Sequence, residues 1–304
     1  MGTPQFSVPG LQTLHQNGYE IALVVTQPDR PRGRGRRITP SPVKQTAQDL
    51  GYPVIQPTSI KTPEFADQIK SLEPDFQVVI AYGKILPENV LALPRLGTIN
   101  IHASLLPKLR GAAPIQWAVI NGETKTGVCS MRMDKGMDTG DILLTAKEPV
   151  KPDDTAGTLH DRLAVKGATV LIDTLKAYAD NIIKPVRQDH NLATYAPMLT
   201  KDDGLINWNK PAESLECFIR GVTPWPGAFT FLGDKRLKIF KSRSVKTEIS
   251  GSPGTVLKGF PDELRIAAAT GALAIEEIQG ASGKRLSIRD FLRGHPILPG
   301  AVFG

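Results

Sequence analysis

Short apolar runs alternate with helical spacing through the first 183 residues. The segments 21–26, 77–82, 98–102, 128–133 and 141–146 are rich in β-branched residues and have strand length. Helix signals lie between them. Ser41 and Pro42 supply an N-cap and a first helical position, Val43, Ala47 and Leu50 follow at i, i+4 and i+7, and Gly51 stops the helix. Thr62 and Pro63 open a second helix with Phe65, Ile69 and Leu72 on one face. Thr155 caps a long one, marked by the pairs Leu159/Leu163 and Leu171/Leu175. Strand–helix alternation of this kind predicts βαβ units and a mostly parallel sheet in an α/β domain.

The remaining chain follows another rhythm. Residues 184–201 have no clear period and read as a linker. A helix is predicted over 212–220, ended by Gly221. Strand-like runs at 228–232 and 236–242 flank Gly233-Asp234, and runs at 264–269 and 272–278 flank Thr270-Gly271, with a further short run at Val256. Ser287 begins a last helix in which Asp290 completes a capping box and Gly294 is the stop. Antiparallel strands with one helix predict a small β-barrel of OB type. The predicted organisation is a first domain over 1–183, a linker over 184–201 and a second domain over 202–304. At the start, Met1-Gly2-Thr3-Pro4 reads as the turn after a strand. A doubly wound sheet opens with an apolar strand feeding such a turn, so the expectation is that the first strand is missing.

Composition narrows the class. The chain has 304 residues, is 40% hydrophobic and 22% charged, and carries a net charge of +7. Enough apolar surface is present to build cores, which excludes disorder as the main state. No run reaches the ~18 apolar residues that crossing a membrane requires, and no signal peptide is visible. Cys129 and Cys217 stand alone, without a CxxC spacing. They predict buried thiols in a cytoplasmic protein, not a disulfide or zinc scaffold. The charge is uneven: residues 1–183 hold 20 Lys and Arg against 18 Asp and Glu, and residues 184–304 hold 17 against 12. A basic excess fits an anionic partner, and it equally fits simple solubility.

Dinucleotide, P-loop, serine-hydrolase and zincin motifs are all absent from the sequence. Three segments carry candidate chemistry. Asn100 and His102 are two apart in a predicted strand, so they share one face at its carboxyl end, where α/β sheets place ligands. A polar pair there is either a site or two satisfied core residues. The run 133–141 punctuates a loop with Gly and offers Asp134, Asp138 and Asp141. An Asp beside a His fixes its tautomer and stabilises the imidazolium, although Asp also caps turns. Between Gln27 and Arg37 lie five arginines, Arg30, Arg32, Arg34, Arg36 and Arg37, against one Asp29. Arg forks match phosphate geometry, so this segment reads as an arm for an anionic polymer.

These residues resemble a known family. Asn100-Ile101-His102, Ser104-Leu105-Leu106-Pro107, Arg110-Gly111-Ala112-Ala113-Pro114-Ile115-Gln116 and the run from Met133 to Asp141 are similar to the methionyl-tRNA formyltransferases, a branch of the folate-dependent formyltransferases. Gly2-Thr3-Pro4 with Phe6, Thr26-Gln27-Pro28-Asp29-Arg30, Ser41-Pro42-Val43-Lys44 and Pro224-Trp225-Pro226-Gly227 extend the likeness over nearly the whole chain. The Asn-x-His and Asp core is common to all folate-dependent formyltransferases. The Arg-rich insert and the basic C-terminal part point to tRNA.

The resemblance implies a Rossmann-like formyltransferase domain followed by the OB-like one. It implies transfer of the formyl group of 10-formyltetrahydrofolate to the α-amino group of methionine on initiator tRNA. Asn100, His102 and Asp138 take the catalytic roles, and Ser104, Leu105, Leu106 and Pro107 contact folate. The amine must be neutral to attack, His102 handles its proton, and Asn100 donates to the oxyanion. Asp138 holds His102 in its productive tautomer, while Asp134 and Asp141 shape the loop. Arg34, with Arg36 and Arg37 beside it, matches the position that reaches the tRNA acceptor stem. Lys235, Arg236, Lys238, Lys241 and Arg243 would meet the tRNA backbone, which is phosphate positioning. No metal and no membrane are implied, and a monomer is expected. Trp225 is expected to be a packed aromatic. Two rival readings are a formyltransferase for a small amine and an RNA-binding protein without catalysis.

Overall fold

The computed structural model describes residues 1–32, 37–247, 251–260, 262–281 and 283–304, with Arg32 and Arg37 described by their backbone alone. The chain divides into two compact units. The first holds Met1–Pro114, Lys125–Pro149 and His160–Pro197, and the second holds Ile115–Thr124, Val150–Leu159 and Met198–Gly304.

In chain order the elements of the first part are α1 (Val8–Gln16), β1 (Val24–Val25), β2 (Arg30–Arg32), β3 (Arg37–Thr39), α2 (Pro42–Asp49), β4 (Val54–Ile55), α3 (Pro63–Lys70) and β5 (Phe76–Val79). They continue with α4 (Glu88–Leu91), β6 (Gly97–His102), α5 (Pro114–Ile120), β7 (Lys125–Arg132), β8 (Asp141–Pro149) and α6 (Ala156–Ala179). The caps read from sequence form as expected. The Ser41 hydroxyl accepts from the Lys44 amide at 3.1 Å, and the Thr62 hydroxyl accepts from the Phe65 amide at 3.4 Å.

The main sheet has the order β5-β6-β7-β8. Only β5/β6 is parallel in it; β6/β7 and β7/β8 are antiparallel. A separate pair, β1/β4, is parallel. With the parallel bridge between Gly2 and Ile80, the pairings are parallel from β4 to β6, as expected, and antiparallel from β6 to β8. Apolar periodicity tells which residues face a core but not which way a strand runs. Residues 133–140 fold straight back, so β8 returns beside β7 without the long crossover that a parallel neighbour requires. Met1 and Gly2 lie between β1 and β5: Gly2 N–H donates to Val25, Ile80 N–H donates to Met1, and the Met1 amino group donates to Val78. A cavity of about 670 Å³ sits beside them, lined by Leu23, Val24, Phe76, Val78 and Leu175 among others. Helix α6 covers the Ile101 face of the sheet closely. A Cβ at Gly167 would stand 3.1 Å from the Ile101 side chain, so glycine permits that approach.

The segment 184–201, read as a linker, groups with the first unit as far as Pro197. Val186 exchanges two backbone hydrogen bonds with Ile142, both 2.8 Å. Further on, Arg110 N–H donates to Thr194 at 2.8 Å and Ala196 N–H donates to Arg110 at 2.7 Å.

The second unit contains α7 (Ala212–Gly221), β9 (Ala228–Leu232), β10 (Lys235–Val245), β11 (Leu264–Ala267), β12 (Ala272–Gln279), β13 (Arg285–Ser287) and α8 (Ile288–Gly294). The sheet order is β11-β12-β10-β9, with β13 also paired to β12 and every pair antiparallel. Isolated bridges Val256↔Ile266, Thr255↔Val302 and Leu232↔Phe303 run from β11 toward β9. The buried Trp208 indole N–H donates to the Thr230 hydroxyl at 2.9 Å. Trp225 is 48% exposed, which corrects the expectation that it is packed; prolines on both sides keep it in an irregular turn. Among the described residues no helix is long and apolar enough to cross a membrane.

Candidate active site

Strand β6 carries the first two candidates. Ile99 and Ile101 are buried on one face, 0% and 3% exposed, so Asn100 and His102 turn to the other at the carboxyl end. Asn100 Oδ1 is shielded from solvent and has no hydrogen-bond partner among the described residues. An acceptor of that kind costs stability unless a ligand completes it. His102 is 7% exposed. Its Nε2 lies 3.1 Å from the carbonyl oxygen of Leu109. A carbonyl only accepts, so Nε2 carries the hydrogen and Nδ1 is the free nitrogen of the neutral ring.

Nδ1 faces Asp138 Oδ2 at 3.7 Å. At that distance the contact is not a hydrogen bond, and it becomes a charge pair only when the ring is protonated. Oδ2 accepts instead from Gly111 N–H at 2.7 Å. The tautomer is therefore set by a backbone carbonyl, and Asp138 is placed to face the ring once Nδ1 gains a proton. Asp138 itself has φ +55°, a left-handed conformation that Asp tolerates better than most residues. In the same loop the Asp134 carboxylate accepts from Gly136 N–H at 3.0 Å and from the Thr139 hydroxyl at 2.6 Å. Asp134 thus shapes the loop.

The segment after β6 lies beside His102. Ser104 is fully buried and its hydroxyl donates to the Lys108 carbonyl at 2.6 Å. Leu106 is buried in a cluster with Cys129 and Met131. Leu105 and Pro107 are partly exposed. Burial pushes the Cys129 thiol above its usual range.

Three residues near the site are not candidates on sequence grounds. Arg110, 2% exposed, points its guanidinium at Gln188, with Nε and Nη2 at 3.2 and 2.7 Å from Oε1. Its Nη2 also reaches His190 Nδ1 at 3.1 Å. Gln188 in turn meets the Asp138 loop. Arg110 lies inside a motif of the family resemblance, but Gln188 and His190 fall in the stretch without periodicity, and no local signal marks them.

The basic candidates behave differently from one another. Arg34 and Arg36 lie outside the described residues, and Arg37 is described by backbone only. Around the base of the β2/β3 hairpin, Lys44 Nζ sits 2.5 Å from Asp29 and 2.7 Å from Gln56. On β10, Arg236 lies over the Phe229 ring at 3.6 Å, and Lys235 and Lys238 are exposed. Lys241 pairs with Glu276 at 3.1 Å, and Arg243 approaches Glu263 and Glu276 at 3.5 and 3.6 Å. The Glu276 carboxylate holds the Lys241 ammonium above its ordinary range. Among the described residues no group of three or more His, Cys, Asp or Glu side chains is placed to hold a metal.

Comparison with known proteins fits this geometry. A family model described as formyl transferase matches residues 1–175, and one described as formyl transferase, C-terminal domain, matches residues 198–296. The methionyl-tRNA formyltransferase of Geotalea uraniireducens is 48% identical over 304 residues, covering 100% of this chain and 96% of the relative. That of Caldanaerobacter subterraneus subsp. tengcongensis is 50% identical over 303 residues, covering 99% and 98%. Among solved structures, the N-formyltransferase of Helicobacter canadensis in complex with folinic acid and dTDP-3-aminofucose has a TM-score of 0.68 at 19% identity, covering 94% of this chain and 97% of that one. At that identity the likeness concerns the fold.

Proposed function

This chain belongs to the methionyl-tRNA formyltransferase family, and from that premise we propose that Asn100, His102 and Asp138 carry the transfer of a formyl group from 10-formyltetrahydrofolate to the α-amino group of methionine on initiator tRNA. The enzyme is a one-carbon transferase that serves translation initiation. The observation that carries the assignment of residues is the orientation of His102, whose Nδ1 is free toward the Asp138 carboxylate while Nε2 is held by Leu109.

The amine attacks as its neutral form, since only that form has a lone pair; a free α-amino group titrates near 7.7–8.0. Its nitrogen bonds to the formyl carbon and the carbon–nitrogen bond to the folate breaks. His102 Nδ1 accepts the proton that the amine loses, and the imidazolium then faces Asp138. The proton passes on to the departing folate nitrogen. Asn100 serves both partners: Oδ1, which has no donor among the described residues, accepts from the amine, and the Asn100 amide N–H donates to the formyl oxygen as charge gathers there. Leu105 and Pro107 offer surface to the folate, and Leu106 supports them from the core. With its hydroxyl spent on Lys108, Ser104 contributes through its backbone.

We assign catalysis to the first unit and tRNA backbone contact to the second, with Arg34, Arg36 and Arg37 as the arm at the acceptor stem and Lys235, Arg236, Lys238, Lys241 and Arg243 as the cationic strand. The second unit is read as an OB-like barrel, supported by the bridges that run from β11 to β9 through 255–256 and 302–303. The reading also carries a monomeric enzyme of the cytoplasm. A formyl-transfer assay tests it by offering charged initiator tRNA and amino-sugar nucleotides side by side. His102→Ala is expected to lose formylation of the tRNA by about 10²–10⁴-fold while tRNA binding holds. Full activity in that variant, or preference for a small amine, would reject the assignment.

A further inference from the structure

We infer that Gln188 is a positioning residue for the reaction: its amide, locked by Arg110, pins the left-handed Asp138 turn so that the carboxylate stays opposite His102. This rests on the proposed catalytic role of Asp138. Gln188 is 6% exposed, and its side-chain amide uses all four of its hydrogen-bonding positions. Its Nε2 donates to the carbonyl of Asp138 at 2.9 Å and to that of Gly140 at 2.7 Å. Its Oε1 accepts from Arg110 Nε at 3.2 Å and Nη2 at 2.7 Å. The amide cannot turn over, because the flip would put NH₂ against a guanidinium and oxygen against two carbonyls.

Asp138 is thus held from two sides that share one origin. Arg110 fixes Gln188, which holds the Asp138 backbone, and the next residue, Gly111, donates its N–H to the Asp138 carboxylate at 2.7 Å. Gly111 has φ +120°, and a Cβ there would stand 2.7 Å from the Ala196 carbonyl, so the residue that presents this N–H has to be glycine. The segment carrying Gln188 is itself tied down at Val186 to Ile142 and at Ala196 to Arg110. A non-glycine residue with positive φ persists when its surroundings over-determine it, and the Gln188 amide is the group that does so at Asp138. His190 lies on Arg110 Nη2 at 3.1 Å.

Gln188→Glu separates positioning from packing. Glu has the same shape and gains a charge-assisted bond to Arg110 that offsets the two lost donors, so the fold is expected to melt near the parent temperature. It offers oxygens to the Asp138 and Gly140 carbonyls in place of two donors, so the loop is repelled. The expected result is a fall in kcat of roughly 10–100-fold with KM for tRNA and folate retained. Gln188→Leu, which deletes both sets of bonds, should show the same kcat loss with a lower Tm. A folded Gln188→Glu enzyme with kcat within about twofold of the parent, or a Gln188→Glu enzyme whose kcat loss is matched by a fall in Tm, overturns the inference. Asp138→Asn is assayed alongside. If that variant stays fully active, the catalytic reading of Asp138 has failed. If it is impaired while Gln188→Glu is not, only the role of Gln188 has failed.

Discussion

The Asp138 loop and strand β10 handle charge in opposite ways. Around His102 the two proposed catalytic ionisable side chains are positioned by backbone, and the turn by a neutral amide: Leu109 fixes the ring, Gly111 fixes the carboxylate, and Gln188 fixes the turn. Strand β10 carries five candidate cations, all on side chains that reach outward from the sheet. Two, Lys241 and Arg243, are paired with Glu263 and Glu276, while Lys235, Arg236 and Lys238 have no carboxylate in contact among the described residues. Strand register explains the division. Arg236 stands opposite Phe231 and Lys238 opposite Phe229, so these cations share a face with aromatic rings. Beyond the register shift at 239–241, Lys241 meets β12 at Glu277 and reaches Glu276. On the proposed roles, the difference teaches that catalysis calls for a few groups closely held, and phosphate binding for charges left uncompensated.

The largest expected effect lies on the catalytic side of that contrast. Asn100→Ala removes the proposed donor to the formyl oxygen and the buried acceptor together. A fall in kcat of about 10²–10³-fold is expected, with the KM for charged tRNA little changed. Steady-state kinetics at saturating folate measures it. A rise in KM with kcat intact would mean that Asn100 binds substrate in its ground state and does not act in the transition state.

Much of this site could be read from the sequence, and the physical reason is local. Asn100 and His102 are two residues apart, so a strand alone puts them on one face, and the Gly-rich loop with Asp138 announces an irregular turn. What holds them could not be read. The acceptor for His102 is a main-chain carbonyl at Leu109, and carbonyls carry no sequence signature. Gln188 lies 78 residues from Arg110 in a stretch without periodicity. The caps at Ser41, Thr62 and Ser287 were legible because capping is a contact over three residues. The antiparallel direction of β7 and β8 was not legible, nor was the pairing of Lys241 and Arg243, because both depend on register between strands.

The charge contrast on β10 is tested by two double variants. Arg236→Gln with Lys238→Gln removes uncompensated cations, and Lys241→Gln with Arg243→Gln removes compensated ones. The first should weaken tRNA binding and lower the slope of log K against log salt by up to about 2, one for each phosphate that is no longer neutralised. The second should lower the slope less, since Lys241 and Arg243 are shared with Glu263 and Glu276 and neutralise phosphate only in part. Binding titrations over a salt series decide between them. Equal slopes for the two variants would show that counting charges is sufficient and that pairing on the sheet does not matter.

The smallest effect belongs to the base of the β2/β3 hairpin, where the two kinds of organisation meet. There Asp29 is an acid held by side chains, beside an arginine-rich arm. The Lys44 ammonium, followed by the Gln56 amide, holds its carboxyl below the usual range. A carboxyl that is more acidic in the folded state stabilises the fold above its unfolded value of about 3.9, and the contribution is lost as pH falls through the lower folded value. Asp29→Asn should therefore lower stability modestly at neutral pH, and parent and variant should converge under acid. Denaturant melts across that range supply the difference. Because both side chains are partly open to water, 20% and 24% exposed, salt should shrink it as well. Since the Lys44 and Gln56 bonds both favour the ionised carboxyl, a difference independent of pH would show that neither is the source of the loss and that the shape of the Asp29 turn, not its charge, holds the hairpin base.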